Sequence, residues 1–440
     1  MAERGGIAER DAVRRLLQRV GLGPRRGELD TAAAAGFDAT LAALTTAAAR
    51  PDAGAVSTPA PAFPAPPARA AKDDKAARKA QRQQEQVHAR ALSVWWLDRM
   101  AAVDNPFPER MTWFWHGHFA TSVRKVRHAS LMYVQNDTQR RLGGGDFRAL
   151  AQAMVVDPAM LVWLDGRGNK IGKPNENLAR EFMELFTLGV GNYTETDVRQ
   201  AARALTGWWV DATAGSSSLN PRQHDNGPET VLGTSAAYDA TSLVDLLVTR
   251  PASPRFVAGR IWTRFVSGSP PDPARLDALV AAYGPNHDIT ALLRAAVGSP
   301  AFRDPASVLV RQPVEWLVAA LRALRLPASK VAPRALQAGL TGLGQIPFYP
   351  PSVGGWPAGT PWLTTAAALA RLRLAQVLAD AGDISPVTDT APSGRVEAAA
   401  ALLGLPPFTA RTATALAPLV GQPAQLVAAA LASPENSVSA

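Results

Sequence analysis

Apolar positions recur at helical spacing through most of the chain, and Gly and Pro mark where each run stops. Residues 8–20 read as a short helix closed by Gly21, and residues 28–49 as a second. Prolines at 51, 59, 61, 64, 66 and 67 make 51–71 a Pro/Ala-rich connector that regular structure cannot cross. A long helix follows from about Asp73 to Ala102, polar at first and apolar from Ala91 to Met100, where Trp95 and Trp96 begin a buried end. Asn105, Pro106 and Pro108 stop it.

Between Ser130 and Trp209 the pattern predicts two helices joined at Gly143–Gly145, a restart at Asp157-Pro158, a loop, and two more helices. Asn175 is placed to cap the first of these last two, and Thr194 with Asp197 forms a capping-box signature for the second. Residues 210–234 are polar and rich in Gly and Pro, which suits a loop or small β-hairpin insertion. Short helices broken by Pro fill 241–326. An irregular aromatic segment spans 345–357, and Ala/Leu-rich helices occupy 363–440. The expectation is a mainly α protein, 1–440 forming one large multi-helix domain with that small irregular or hairpin insertion.

Composition supports helix, because Ala carries no side-chain entropy cost there and hydrophobic residues reach 47%. The formal charge of +9 is Arg-rich but spread widely, and the one dense basic run, Lys72–Arg90, lacks interleaved aromatics. A nucleic-acid partner is therefore not expected. Zero cysteines remove disulfides, thiolate metal sites and cysteine nucleophiles. The opening residues carry charges through their only apolar patch, and no run approaches the roughly 18 apolar residues of a membrane span. A cytoplasmic protein without a membrane span is the expectation.

Side chains suited to chemistry concentrate between Glu109 and Glu229. In Glu109–Ser122, ERMTWFWHGHFATS, His116 and His118 stand two apart. On a regular helix such residues point roughly 200° away from each other, so they cannot share a metal; on an extended segment they can. If the segment is helical, Trp113 and His116 take one side and Trp115 and His118 the other. In Asn175–Leu188, at about 100° per residue, Leu178, Phe182, Leu185 and Phe186 gather on one side, with Glu176, Asn177, Arg180, Glu181 and Glu184 opposite. That face reads either as a metal-binding or acid/base surface or as the wet side of an amphipathic helix. The loop Asn220–Gly227, NPRQHDNG, adds His224 beside Asp225. Leu164–Pro174 imitates a phosphate loop, but Arg167 stands where a glycine is required; Arg167 and Lys170 also break a calcium-loop pattern.

Four motifs in order, FWHGHFATS, LDG-x-x-N-x-x-G-x-PNEN-x-ARE-x-MELFTLG, YTE-x-DV-x-x-AARALTGW and QHDNGPETVLG, resemble the bacterial domain-of-unknown-function 1800 family over nearly the full chain. The resemblance marks His116, His118, Asn175, Glu176, Asn177, Arg180, Glu181, Glu184, His224 and Asp225 as signature positions, and it implies a sulfatase-like partner protein. It names no reaction. The inventory suits a metal-dependent hydrolase or transferase, with His116, His118 and His224 as ligands of a divalent metal (Zn, Mn or Fe). Glu176, Glu181, Glu184 and Asp225 would supply carboxylates, and Arg180 would orient an anionic group. Trp113, Trp115, Trp208 and Trp209 would line a pocket for a small molecule or saccharide. The alternative is a non-catalytic helical scaffold or partner-binding protein whose motifs, Arg180 and Glu181 included, form a buried polar network.

Overall fold

A computed structural model describes residues 6–46, 50–63 and 74–439. Helices dominate it, and its only sheets among the described residues are two-stranded. The first helix, α1 (Glu9–Arg19), is followed by two short helices where the sequence suggested one over 28–49. Gly36, with φ of 87° and ψ of 168°, breaks it into Glu28–Ala35 and Phe37–Thr45. Of the predicted connector, Ala53–Val56 forms one helical turn capped by Asp52, while 64–71 and the Asp73 start of the long helix lie outside the described residues.

Helix α2 (Lys75–Ala102) begins at Asp74, whose side chain accepts from the Ala77 N–H, and buries Leu92, Trp96, Leu97 and Met100 near its end. Its final carbonyls are received by arginines: Arg322 Nη1 donates to Val103 O at 2.9 Å and Arg25 Nη2 to the same oxygen at 2.9 Å. Cationic donors suit the negative end of the helix dipole. The prolines that stop α2 also start α3 (Phe107–His118), with Pro108 in its first turn where no N–H is needed.

Almost every residue of α3 is buried, because it lies between two hydrophobic cores. Met111, Phe114, Trp115 and Phe119 join a core shared with α1 and the middle of the chain. Trp113 joins the other, with the end of α2 and the C-terminal helices. Helix α4 (Ala129–Leu142) packs on α3, with Trp115 Nε1 donating to Gly143 O at 2.7 Å. The Asp157-Pro158 restart is as predicted: Asp157 caps Pro158–Trp163 by accepting from Met160 N–H at 2.9 Å.

Helix α5 (Glu176–Glu181) is capped by Asn175 and continues into a π-helical stretch over Phe182–Thr187. Helix α6 (Glu195–Ala204) carries the Thr194/Asp197 capping box. The expected insertion forms two hairpins, β1 (Trp208–Asp211) with β2 (Ser216–Leu219), and β3 (Glu229–Val231) with β4 (Thr234–Ala236). Further helices follow, among them α7 (Ala252–Phe265). Strand β5 (Leu309–Val310) pairs antiparallel with β6 (Val438–Ser439), and β6 in turn packs against α1, with α8 (Pro313–Ala323) leaving from β5. No helix among the described residues is long and apolar enough to cross a membrane.

Candidate functional site

Because Glu109–His118 is helical, its two histidines leave opposite sides of α3 and enter different cores. His116 packs among Trp96, Trp113, Phe348 and Trp356, and its Nε2 accepts the Phe348 N–H at 3.0 Å. His118 packs among Phe114, Trp115, Phe119, Phe147, Phe186 and Phe256. Its Nε2 lies 2.9 Å from Phe186 O, which can only accept, so that nitrogen carries the hydrogen and buried Nδ1 has no partner. Burial pulls both imidazoles down to about 3, with Arg260 adding to the effect at His118. Both are neutral at pH 7.

The Phe186 carbonyl is available because it lies in the last turn of the helix, where carbonyls have no partner within the helix, and that turn is a π turn. Widening from i→i+4 to i→i+5 bonds releases the regular register. Leu188 N–H donates to Met183 O at 2.8 Å, and Thr187 Oγ1 to Phe182 O at 2.7 Å. His118 then fills the place of the missing partner. Met183 turns inward beside Phe182 and Phe186, while Leu185, expected inside, is only partly covered.

The opposite face is wet. Arg180 is partly exposed and bridges Glu176 at 3.1 Å and Glu195, which is itself largely exposed. Glu184 accepts from the Tyr193 hydroxyl. Glu181 is half-buried, and burial together with neighbouring Glu184 raises its carboxyl above the usual range. The expectation that Arg180 and Glu181 lie in a buried network is corrected: solvent still reaches this short helix face. A carboxylate that is fully buried and paired is Glu109, held by Arg99 Nε at 2.7 Å, Arg140 Nη2 at 2.9 Å and Trp96 Nε1 at 2.8 Å.

His224 and Asp225 are fixed to the end of α6. His224 Nδ1 lies 3.1 Å from Thr206 O. Arg203 grips Asp225 through Nε at 2.8 Å and Nη2 at 3.2 Å, and these bonds hold the carboxyl below its usual range. Gly207, at φ +90°, permits the fit, since a Cβ there would stand 2.9 Å from both Asn220 O and His224 N. Between the PNEN and ALTGW segments sits Asn169, which was set aside in the loop reading and is 2% exposed. Its Oδ1 accepts from Asn175 N–H at 2.8 Å, its Nδ2 donates to Ala202 O at 2.9 Å, and its carbonyl accepts from Gly207 N–H at 2.9 Å. Its neighbours in sequence, Gly168 and Lys170, gave no sign of this; the signal was its place as the Asn of LDG-x-x-N, a lone amide in a loop otherwise rich in charge.

The three histidines therefore do not converge. His116 and His118 share no ring neighbour, and His224 belongs to a third place. Among the described residues no group of three His, Asp or Glu side chains is arranged to hold a metal ion. The donor set expected for a divalent metal does not fit one: His116 Nε2 already accepts a hydrogen bond and His118 Nε2 carries its hydrogen. Trp113 and Trp115 are core residues on opposite sides of α3, Trp208 is half-buried, and Trp209 is exposed on β1.

A family model described as "Protein of unknown function (DUF1800)" matches residues 15–438. No curated protein and no solved structure matches the chain.

Proposed function

The chain belongs to the DUF1800 family, whose function is unknown, and on that premise we propose that its motifs serve as the packing framework of a helical scaffold or partner-binding protein. One observation carries this reading: the motif side chains spend their hydrogen bonds on the backbone of one another and of the aromatic segment 345–357. His116 holds Phe348, His118 holds Phe186, Asn169 holds Asn175 and Ala202, and His224 lies against Thr206. Buried polar groups satisfied in this way fix which segments pack together, and losing one partner strands the other.

The test is metal content by inductively coupled plasma mass spectrometry together with thermal melting of His118→Ala and Asn169→Ala. The expected result is substoichiometric metal in the parent chain and a loss of about 2–4 kcal/mol for Asn169→Ala, which strands a buried donor and a buried acceptor. Near-stoichiometric metal that His118→Ala removes without lowering the melting temperature would overturn the framework reading.

A second reading, an acid/base surface for hydrolysis or group transfer, is favoured by the raised carboxyl of Glu181 beside Glu184. It predicts a substrate whose turnover disappears in Glu181→Gln while the fold holds. A Glu181 carboxyl titrating at its ordinary value by carbon-13 NMR would remove its support.

A further inference from the structure

Where α1, α3, α7 and the β5 strand meet, a cavity of about 290 Å³ is walled by Arg19, Arg110, Arg264 and Arg311, with Glu315 as the one carboxylate among its lining residues. Four guanidiniums against one carboxylate leave a formal excess of three positive charges. None of these residues belongs to the motif framework described above.

The hydrogen bonds explain how the excess is held. Arg19 is 3% exposed and spends its donors on neutral oxygens: Val266 O at 2.6 Å, Ser439 O at 2.6 Å, Ser439 Oγ at 3.0 Å and Ser307 O. Glu315 is claimed by Arg264 Nη2 at 2.5 Å and by Arg110 Nη1, which approaches to 3.0 Å without hydrogen-bond geometry. Arg311 is left over. It is 7% exposed, Nη1 donates to Asn436 Oδ1 at 2.7 Å, and buried Nε and Nη2 have no partner. Those two nitrogens form one edge of the guanidinium, the side-on fork that takes two oxygens of a single oxyanion.

A buried cation with too little counter-charge is costly: burial pulls Arg311 down to about 10, only partly offset by Glu315, and Arg19 to about 8, the latter also repelled by Arg15 and Arg311. We propose that this cavity is a binding site for a tetrahedral oxyanion, a phosphate or sulfate group, held side-on by Arg311 and flanked by Arg110 and Arg264. Its volume is near the lower end of small-molecule sites, roughly 300–1,000 Å³, so the group enters either as the free ion or as the head of a small ester. An adjoining hollow of about 90 Å³ shares Thr263, Arg264 and Ala358 and is bounded by Trp113 and Trp356, a flat apolar wall beside the charged chamber.

The test is calorimetric titration and thermal melting of the full chain with sodium phosphate, sulfate and phenyl phosphate, against chloride at matched ionic strength. Saturable binding of phosphate or sulfate is expected, with no comparable effect of chloride. Phenyl phosphate binding more tightly than inorganic phosphate assigns an ester, and equal affinity assigns the free ion; either supports the site. Arg311→Gln should weaken binding at least tenfold while melting, without anion, no lower than Asn436→Ala, which breaks the same Arg311–Asn436 bond but leaves the buried charge in place. A merely structural arginine would instead destabilise the anion-free protein further than that on removal. Should Arg311→Gln fail to fold, Val308→Glu serves, since it puts a carboxylate at an exposed wall position and should also cost at least tenfold. No binding above chloride by the parent chain, or parent-like binding in both variants, overturns the proposal.

Discussion

Two buried imidazoles and one buried carboxyl give the protein opposing responses to pH. His116 and His118 are depressed to about 3, below the ordinary value, so the stability they contribute is complete above about pH 6.5 and is lost as pH falls toward 3. Each adds a slope of about 1.4 kcal/mol per pH unit within that window. Asp157 runs the other way. Burial raises its carboxyl to about 7 despite hydrogen bonds from Met160 and Gln135, so its contribution is complete below the ordinary aspartate range and is lost as pH rises through 7. Denaturant unfolding between pH 4.5 and 8 should show a shallower acid limb in His118→Gln, which keeps a donor for Phe186 O, and Asp157→Asn should cancel the decline toward pH 7. Parent-like slopes in both would contradict these assignments. The sequence left open whether the two histidines share a face; the helix that forms turns about 100° per residue and puts them on opposite sides. What each ring holds was not legible, since Phe186 lies 68 residues from His118 and Phe348 lies 232 from His116.

Elements were legible where their signals are local. The caps at Asn175 and Thr194 lie within three residues of the N–H groups they satisfy and form as read, as does the helix restart at Asp157-Pro158. Gly36 inside an Ala-rich run was passed over because alanine spacing looks helical on either side of it. The π turn was invisible for a different reason: it follows from what packs against Phe182–Thr187, not from the residues themselves. The turn after α6 offers a sharp test of the motif framework. Gly207→Ala combines a left-handed backbone with contacts of 2.9 Å to two backbone atoms, so a loss of about 2 kcal/mol or more is expected in equilibrium unfolding. A variant as stable as the parent would mean that the 220–227 loop does not close against Gly207 in solution.

At the scale of the whole molecule, α3 supports two cores at once, and the end of the chain supports the beginning. Arg19 on α1 reaches Ser439, Arg311 N–H donates to Ser437 O at 3.0 Å, and Trp316 Nε1 donates to Leu431 O at 2.9 Å. Removing residues 434–440 leaves Arg19 and Arg311 without these acceptors, and a loss of about 3 kcal/mol or more should appear as a lowered urea midpoint. An unchanged midpoint would show that β6 adds nothing. The mainly α class was readable from composition and spacing, whereas the arginine-lined cavity was not, because its walls come from six separated stretches of the sequence. The β5–β6 pairing also has a consequence in time. Arg19 and Ser439 are 420 positions apart, and at roughly 5–20 residues per second a ribosome needs about 20–80 s to cover that span. Val266 and Ser307 are made earlier in that interval, but the first helix carries a charged side chain whose acceptors on Ser439 come last. Until Ser439 is made, the share of the Arg19 guanidinium that it receives must be met by water, so the last strand completes the seating of α1.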